Sequence, residues 1–177
     1  VLEALAARDT PPGKVFLLNP DARLANDVLA VLADALEADP DAVAAGAGIV
    51  DGDGTPATAA FRFPGFISEV VKTVGFGPLE RLFSHRRVAL PPDFPDGRVD
   101  WVAGASVMFR FNTLQEHGFF DPVFFLYYEE VDLMRRLQAN GGHVLFVPQA
   151  QVVHYEGAAT NVRSSQARRA RPPYVYD

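Results

Sequence analysis

Three carboxylates, Glu129, Glu130 and Asp132, follow directly on an aromatic run that includes Phe119, Phe120, Phe124, Phe125, Tyr127 and Tyr128. Negative charge beside apolar surface is costly to desolvate, so a cluster of this kind points to a cation, a metal or a proton transfer. A carboxylate held against a hydroxyl can take its proton as that oxygen attacks an electrophilic carbon. Glu130 is the candidate general base on this reading, with Glu129 and Asp132 competing for the role. The alternative is purely electrostatic: all three residues open a helix, and each would stabilise its positive end by ~0.3–1 kcal/mol.

Two further polar groups stand at the ends of apolar runs. Asn19-Pro20-Asp21 terminates Lys14 to Leu18, and His154 terminates Gln151 to Val153. A hard divalent ion bound to phosphate takes one or two carboxylates plus substrate oxygens, and an imidazole suits Mn²⁺ or Mg²⁺ as a further ligand. Asp21 and His154 are therefore the candidate metal ligands. Alone, Asn-Pro-Asp is a common turn and a strand-end histidine is ordinary. Their co-occurrence is what raises the metal reading.

The elements that must position these groups follow from hydrophobic spacing. Lys14 to Leu18 reads as a buried strand, and strand ends of this kind bind ligands in open α/β sheets. Asn26 to Ala38 reads as a helix with Val28, Leu29, Leu32 and Leu36 inward, Asn26 as N-cap and Pro40 beyond its end. Ala42 to Val50 is a second strand. Asp51-Gly52-Asp53-Gly54 then turns the chain into a strand near Thr58 to Phe63, forming a hairpin. Val99 to Val102 and Ser106 to Phe111 read as strands, Asn112 to Glu116 as a short helix, and Glu129 to Asn140 as a helix ended by Gly141-Gly142. Val144 to Val147 and Gln151 to His154 are two strands separated by Pro148.

Residues 64 to 98 have no clear assignment beyond short helices between Phe66 and Phe83, with a basic cluster at His85-Arg86-Arg87 that reads as a solvated loop or a lid over phosphate. Residues 161 to 177, with Arg163, Arg168, Arg169 and Arg171, read as a basic tail or the start of a truncated helical extension. Most of the aromatic cluster reads as core; one or two of its rings, with Trp101, are placed to stack on a sugar or a lipid-linked acceptor.

Composition limits the class. The chain has 177 residues, 49% of them hydrophobic, enough for a single folded core. Its net charge of −6 excludes the basic footprint of a general nucleic-acid binder. With no cysteine, disulfides and thiolate metal sites are excluded. No apolar run approaches the ~20 residues of a membrane span.

Four motifs taken in order resemble one family. Leu17-Leu18-Asn19-Pro20-Asp21, Asp100-Trp101-Val102-Ala103-Gly104-Ala105, the run from Gly118 to Leu133, and Val152-Val153-His154-Tyr155-Glu156-Gly157 are similar to family-two inverting glycosyltransferases of the GT-A fold, especially bacterial rhamnosyltransferase-like members. The resemblance covers roughly residues 14 to 160. It implies an α/β fold with a GT-A-like mixed sheet flanked by helices, present here as a partial domain. Residues 1 to 160 would be the metal- and acceptor-binding part of it.

The resemblance also implies roles. Asn19 and Asp21 stand where the family's Asp-x-Asp element holds the metal and the donor diphosphate, and His154 where a histidine reaches either. Trp101, Gly104 and Ala105 would line the acceptor pocket. The family's Glu-Asp pair falls on Glu129-Glu130, making Glu130 the base, one methylene longer than the usual Asp. The donor would be a dTDP- or UDP-sugar, with rhamnose as one such sugar, and the acceptor a glycan or lipid-linked hydroxyl. Transfer would invert the anomeric carbon with Mg²⁺ or Mn²⁺ present, at the cytoplasmic face of the membrane in peripheral association, in cell-wall or surface-polysaccharide assembly. The family's opening strand-and-helix half, which grips base and ribose, has no counterpart here, an expected shortfall of about 80 residues.

Two other functions compete with this one. One is a non-catalytic sugar- or nucleotide-binding module, favoured by Glu130 in place of Asp and by the missing half. The other is a nucleotidyltransferase, which would need a Gly-rich basic phosphate loop that the sequence does not show.

Overall fold

A computed structural model describes residues 2–63, 88–124 and 128–154. The short helices expected between Phe66 and Phe83, the His85-Arg86-Arg87 cluster and the basic tail lie outside the described residues.

The sheet is built around β3 (Ala42–Val50), whose residues are buried along almost their whole length. A strand buried on both faces reads as a continuous apolar run, as this one does. On one side it pairs in parallel with β9 (His143–His154), and on the other antiparallel with β8 (Ser106–Arg110). Strand β1 (Lys14–Leu18) adds antiparallel to β8, and β2 (Ala22–Leu24) antiparallel to β9, giving the order β1-β8-β3-β9-β2. Strands β4 (Pro56–Ala57) and β6 (Gly97–Val99) pair with β3 and β9 to complete seven strands. A second, two-stranded sheet joins β5 (Ala60–Phe61) to β7 (Trp101–Val102). The expected mixed sheet with helices is therefore present.

Pairing direction decides where the site can be. Since β1 and β3 both run against β8, and β9 runs with β3, the carboxyl ends of β1, β3 and β9 emerge at one end of the sheet. Leu18, Val50 and His154 all lie there.

Helix α1 (Leu2–Ala6) precedes β1. Helix α2 (Val28–Ala38) buries Val28, Leu32 and Leu36 in one stripe at four-residue spacing. Two expectations are corrected here. Leu29, one residue off the stripe, is 44% exposed. The N-cap is Asp27, whose side chain accepts from the Ala30 N–H at 3.4 Å. Asn26 is used elsewhere: its Nδ2 donates to the Gln149 carbonyl at 2.7 Å and its Oδ1 accepts from the Gln151 N–H at 3.1 Å. At the other end of α2, the Arg110 guanidinium donates to the carbonyls of Leu36, Asp39 and Ala42, satisfying acceptors that the helix leaves open.

The two strands expected on either side of Pro148 are one. β9 is continuous, and its register against β3 jumps from Ala47↔Val147 to Gly48↔Gln151, so Pro148, Gln149 and Ala150 bulge out. Asn26 fills the hydrogen-bonding positions this bulge opens. Conversely, the single strand expected over Val99 to Val102 is two. Asp100 breaks it, its Oδ2 accepting from the Phe63 N–H at 2.7 Å, so β6 and β7 join different sheets. The expected hairpin forms, but through β4, while Ala60–Phe61 turns away to pair with β7.

Helix α3 (Phe111–His117) follows β8 directly. Helix α4 (Glu129–Leu137) ends three residues earlier than expected and buries Leu133, Met134 and Leu137. Gln138 closes it, donating from Nε2 to the carbonyls of Met134 at 2.8 Å and Asp100 at 2.7 Å. The Met134 sulfur accepts from the Val102 N–H at 3.2 Å, joining α4 to β7.

β7 lies close over the sheet because β3 presents no side chain beneath it. A Cβ on Gly46 would fall 2.4 Å from Val102 Cγ2. Gly46→Ala should therefore push β7 and α4 off the sheet and destabilise the fold by about 1–3 kcal/mol in urea unfolding. An unchanged midpoint would show that the close approach is not required.

Candidate functional site

Chain geometry brings Asp21 to His154. The Asn19 N–H donates to the Ala105 carbonyl at 3.0 Å, one step beyond the β1–β8 ladder, and the Ala22 N–H returns to the Asn19 carbonyl at 3.0 Å. Pro20 holds the second position of this turn, where its fixed φ is favourable. β2 then pairs Ala22 with His154, so Asp21 arrives beside the last described residue of β9. His154 Nε2 lies 3.0 Å from Asp21 Oδ1, with the two side chains 16% and 14% exposed. The residues at either end of the sequence motif order thus meet, and β2, too short to carry a period-two signal, is the element that makes them meet.

The second cluster opens α4. Tyr128 occupies the N-cap with φ 68°, and no side chain caps the helix. Glu130 is mostly buried. Desolvation is the main cause that raises its pKa above the ordinary glutamate value; its own backbone N–H opposes the rise, and the adjacent Glu129 charge adds to it. Glu129 Oε2 is buried with no hydrogen-bond partner among the described residues.

Asp132 has a different environment. Its Oδ2 accepts from Arg136 Nε at 2.8 Å, and Arg136 in turn donates to the carbonyls of His117 at 2.6 Å and Phe119 at 2.7 Å. This arrangement fastens the end of α3 to α4. Arg136 is a residue that sequence reasoning missed, although its four-residue spacing from Asp132 was the available signal.

Gly104 and Ala105 connect the two clusters. Ala105 gives its carbonyl to Asn19, while a Cβ added to Gly104 would stand 3.9 Å from Glu130 Cβ and meet nothing else within 4 Å among the described residues. Trp101 lies farther back: it stacks on Phe61 with ring centroids 4.0 Å apart at 12°, and its Nε1 donates to the Arg62 carbonyl at 3.1 Å. One face of the indole is thus covered by protein.

A carboxylate and an imidazole meeting at strand ends fit a divalent ion, as far as they go. No group of three or more His, Asp and Glu that could hold a metal occurs among the described residues. A divalent ion held by this pair would take most of its coordination positions from ligand oxygens and water, as is usual for Mg²⁺ bound with phosphate.

In open α/β sheets ligands bind at the carboxyl ends of the strands, which is where Asp21 and His154 meet in this one. Comparison with known proteins gives the class a family: residues 14–176 match the family described as glycosyl transferase family group 2, and the chain belongs to it. It is similar to N-acetylglucosaminyl-diphospho-decaprenol L-rhamnosyltransferase of Mycobacterium tuberculosis, 31% identical over 150 residues, which cover 82% of this chain and 48% of that protein. It is also similar to rhamnosyltransferase WbbL of Escherichia coli, 36% identical over 62 residues, or 35% of this chain and 24% of that one.

The chain thus spans about half the length of the Mycobacterium relative. Among solved structures, GalNAc-T7 with UDP, GalNAc and Mn²⁺ aligns with a TM-score of 0.51 at 18% identity, covering 82% of this chain and 28% of that one. A197 from STIV aligns at 0.52 with 12% identity, covering 87% and 63%. These two show the fold alone. No helix among the described residues is long and apolar enough to cross a membrane.

The space beside Gly104 has a direct test. Gly104→Ala meets only an ordinary contact at Glu130, so its stability should stay within about 0.5 kcal/mol of the unaltered protein. If a substrate uses that space, sugar transfer should fall at least tenfold. Full activity would show that nothing approaches the backbone there.

Proposed function

We propose that the protein transfers a sugar from a nucleotide-diphosphate donor to a hydroxyl of a glycan or lipid-linked acceptor, with inversion at the anomeric carbon. The observation that carries this reading is that the Asn19-Pro20-Asp21 turn bonds the Ala105 carbonyl while Glu130 approaches the adjacent Gly104. Two neighbouring residues thus link the Asp21–His154 pair to a mostly buried carboxylate of raised pKa, which supports a donor site and a base side by side.

In this mechanism the acceptor hydroxyl loses its proton to the Glu130 carboxylate as its oxygen bonds to the anomeric carbon. The bond from that carbon to the diphosphate breaks, and its electron pair leaves with the diphosphate. A raised pKa makes Glu130 a stronger base than an exposed glutamate at a pH that keeps it ionised. Asn19 and Asp21 face the diphosphate with His154. A Mg²⁺ or Mn²⁺ ion held by Asp21 and His154 would neutralise charge on the leaving diphosphate. Asp132 serves by holding Arg136 and, through it, the angle at which α4 presents Glu130.

The Mycobacterium relative carries L-rhamnosyltransferase and N-acetylglucosaminyl-diphospho-decaprenol in its name. That supports rhamnose as the sugar and a diphosphate-linked lipid as acceptor, with a dTDP- or UDP-sugar as donor. A lipid-linked acceptor supports work at a membrane surface, which we propose is the cytoplasmic face, in cell-wall or surface-polysaccharide assembly.

Glu130→Gln separates chemistry from folding. Because burial raises the folded-state pKa of Glu130, its contribution to stability is full below the ordinary glutamate range and is lost as pH rises through the raised value. At neutral pH the ionised group is therefore a burden, and the amide should raise the melting temperature. The same substitution should lower transfer by about 100-fold or more. In the unaltered protein, transfer should fall as pH drops through that raised pKa. Undiminished transfer in Glu130→Gln, or a product of retained anomeric configuration by NMR, would exclude this mechanism.

A further inference from the structure

Asn26 is exposed, yet both ends of its side-chain amide bond the main chain of β9. Nδ2 donates to the Gln149 carbonyl at 2.7 Å, and Oδ1 accepts from the Gln151 N–H at 3.1 Å. One partner can only accept and the other can only donate, so an amide in this one orientation serves both. The Ala25 N–H adds a bond to the Gln151 carbonyl at 2.9 Å. Residues 25 and 26 thus clasp β9 where the bulge of Pro148, Gln149 and Ala150 rejoins the ladder. This is not a by-product of helix capping, because Asp27 caps α2.

The polar pair lies at the far end of the clasped segment. β2 holds β9 through only three residue pairs, Leu24↔Val152, Arg23↔Val153 and Ala22↔His154, and it stands at the end of the strand order. A pairing this short is marginal without support from its flanks. The turn from Asn19 to Ala22 fixes one flank, and Asn26 fixes the other. Asp21 adjoins β2 and His154 ends β9, so their 3.0 Å contact exists only while this ladder keeps its register. A slip of one residue would turn His154 to the other face.

Resting on the donor site proposed above, we infer that Asn26 is a positioning residue of that site: its amide locks β9 just past the bulge and thereby sets His154 against Asp21. It acts through His154 and takes no part in bond making. Groups that orient the ligands of an ion without binding it govern affinity by about 10–100-fold. Asn26 is by this argument a determinant of donor affinity.

The test is calorimetric titration of the natural full-length protein with Mn²⁺ and whichever of dTDP-rhamnose and UDP-glucose the unaltered protein binds. Asn26→Ala should weaken that binding about tenfold, equivalent to ~1.4 kcal/mol. Asn26→Asp replaces one donor by an acceptor and sets a carboxylate oxygen against the Gln149 carbonyl, so it should weaken binding at least as much. Two further variants separate positioning from general damage. Asp27→Ala removes the α2 cap and leaves the clasp, so it should lower Tm by about 2–4 °C while affinity stays within about twofold. Gln149→Ala removes an exposed side chain and keeps the carbonyl, so it should match the unaltered protein in both respects. Amide exchange reads the ladder itself: in Asn26→Ala the Ala25 N–H, whose own acceptor is untouched, should exchange at least about tenfold faster. Affinity within about twofold in both Asn26 variants, unchanged Ala25 exchange, or an equal loss of affinity in Asp27→Ala overturns the inference while the proposed function stands. No Mn²⁺-dependent binding of either nucleotide sugar by the unaltered protein overturns the donor site and the inference with it.

Discussion

The parallel pairing of β3 with β9 governs where each proposed functional side chain lies, because it turns the carboxyl ends of those strands, and of β1, toward one edge. β3 itself is built largely from small residues. Four alanines and two glycines let other layers come close to both neighbours of the strand, and Gly46 takes this furthest beneath Val102. Gly48 plays a related part: a Cβ there would stand 3.0 Å from the Pro148 carbonyl oxygen, so the bulge in β9 depends on it. The bulge shifts the register that delivers His154 to Ala22, and so to Asp21. A packing constraint in the middle of the sheet is in this way converted into the geometry of a polar pair at its end.

Local cost concentrates at the same end. Glu130 is buried enough for desolvation to raise its pKa, Glu129 keeps a buried oxygen without a donor, and Tyr128 holds a left-handed backbone. Each of these lowers stability, and among the described residues no side-chain contact offsets the Tyr128 backbone or the Glu129 oxygen. The opposite end of the sheet is arranged differently. There His143 Nε2 meets Asp39 Oδ2 at 2.8 Å and lowers the Asp39 pKa, while Arg110 satisfies the carbonyls closing α2. Satisfied polar groups at one end and unsatisfied ones at the other are the pattern expected when strain is kept for a ligand.

Much of the fold could be read from the residues themselves. The apolar runs at Lys14 to Leu18 and Ala42 to Val50 are strands with the expected bounds, although the first, expected to be buried, stands at the end of the strand order, half-buried with Leu18 exposed; the stripe of Val28, Leu32 and Leu36 is a helix face. The misreadings share a cause, which is that tertiary partners override local signals. Pro148 reads as a breaker, yet a bulge and the Asn26 side chain carry the strand past it. Asn26 and Asp27 are equally good caps in isolation, and only the position of β9 decides between them. Val99 to Val102 has uniform strand character, but the demand of the Phe63 N–H for a partner splits it at Asp100. In the site, the residue types announced themselves through their motifs. Their arrangement did not, because it depends on a three-residue strand and on the backbone carbonyl of Ala105, neither of which has a side-chain signature.

The central claim is that the strand-end pair Asp21 and His154 is a donor-diphosphate site. The most direct measurement is calorimetric titration of the protein with dTDP-rhamnose and UDP-sugars, with and without Mn²⁺, alongside Asp21→Ala. The account predicts metal-dependent binding that disappears in the variant while the variant remains folded. Binding of equal strength in Asp21→Ala, or binding indifferent to Mn²⁺, would contradict it.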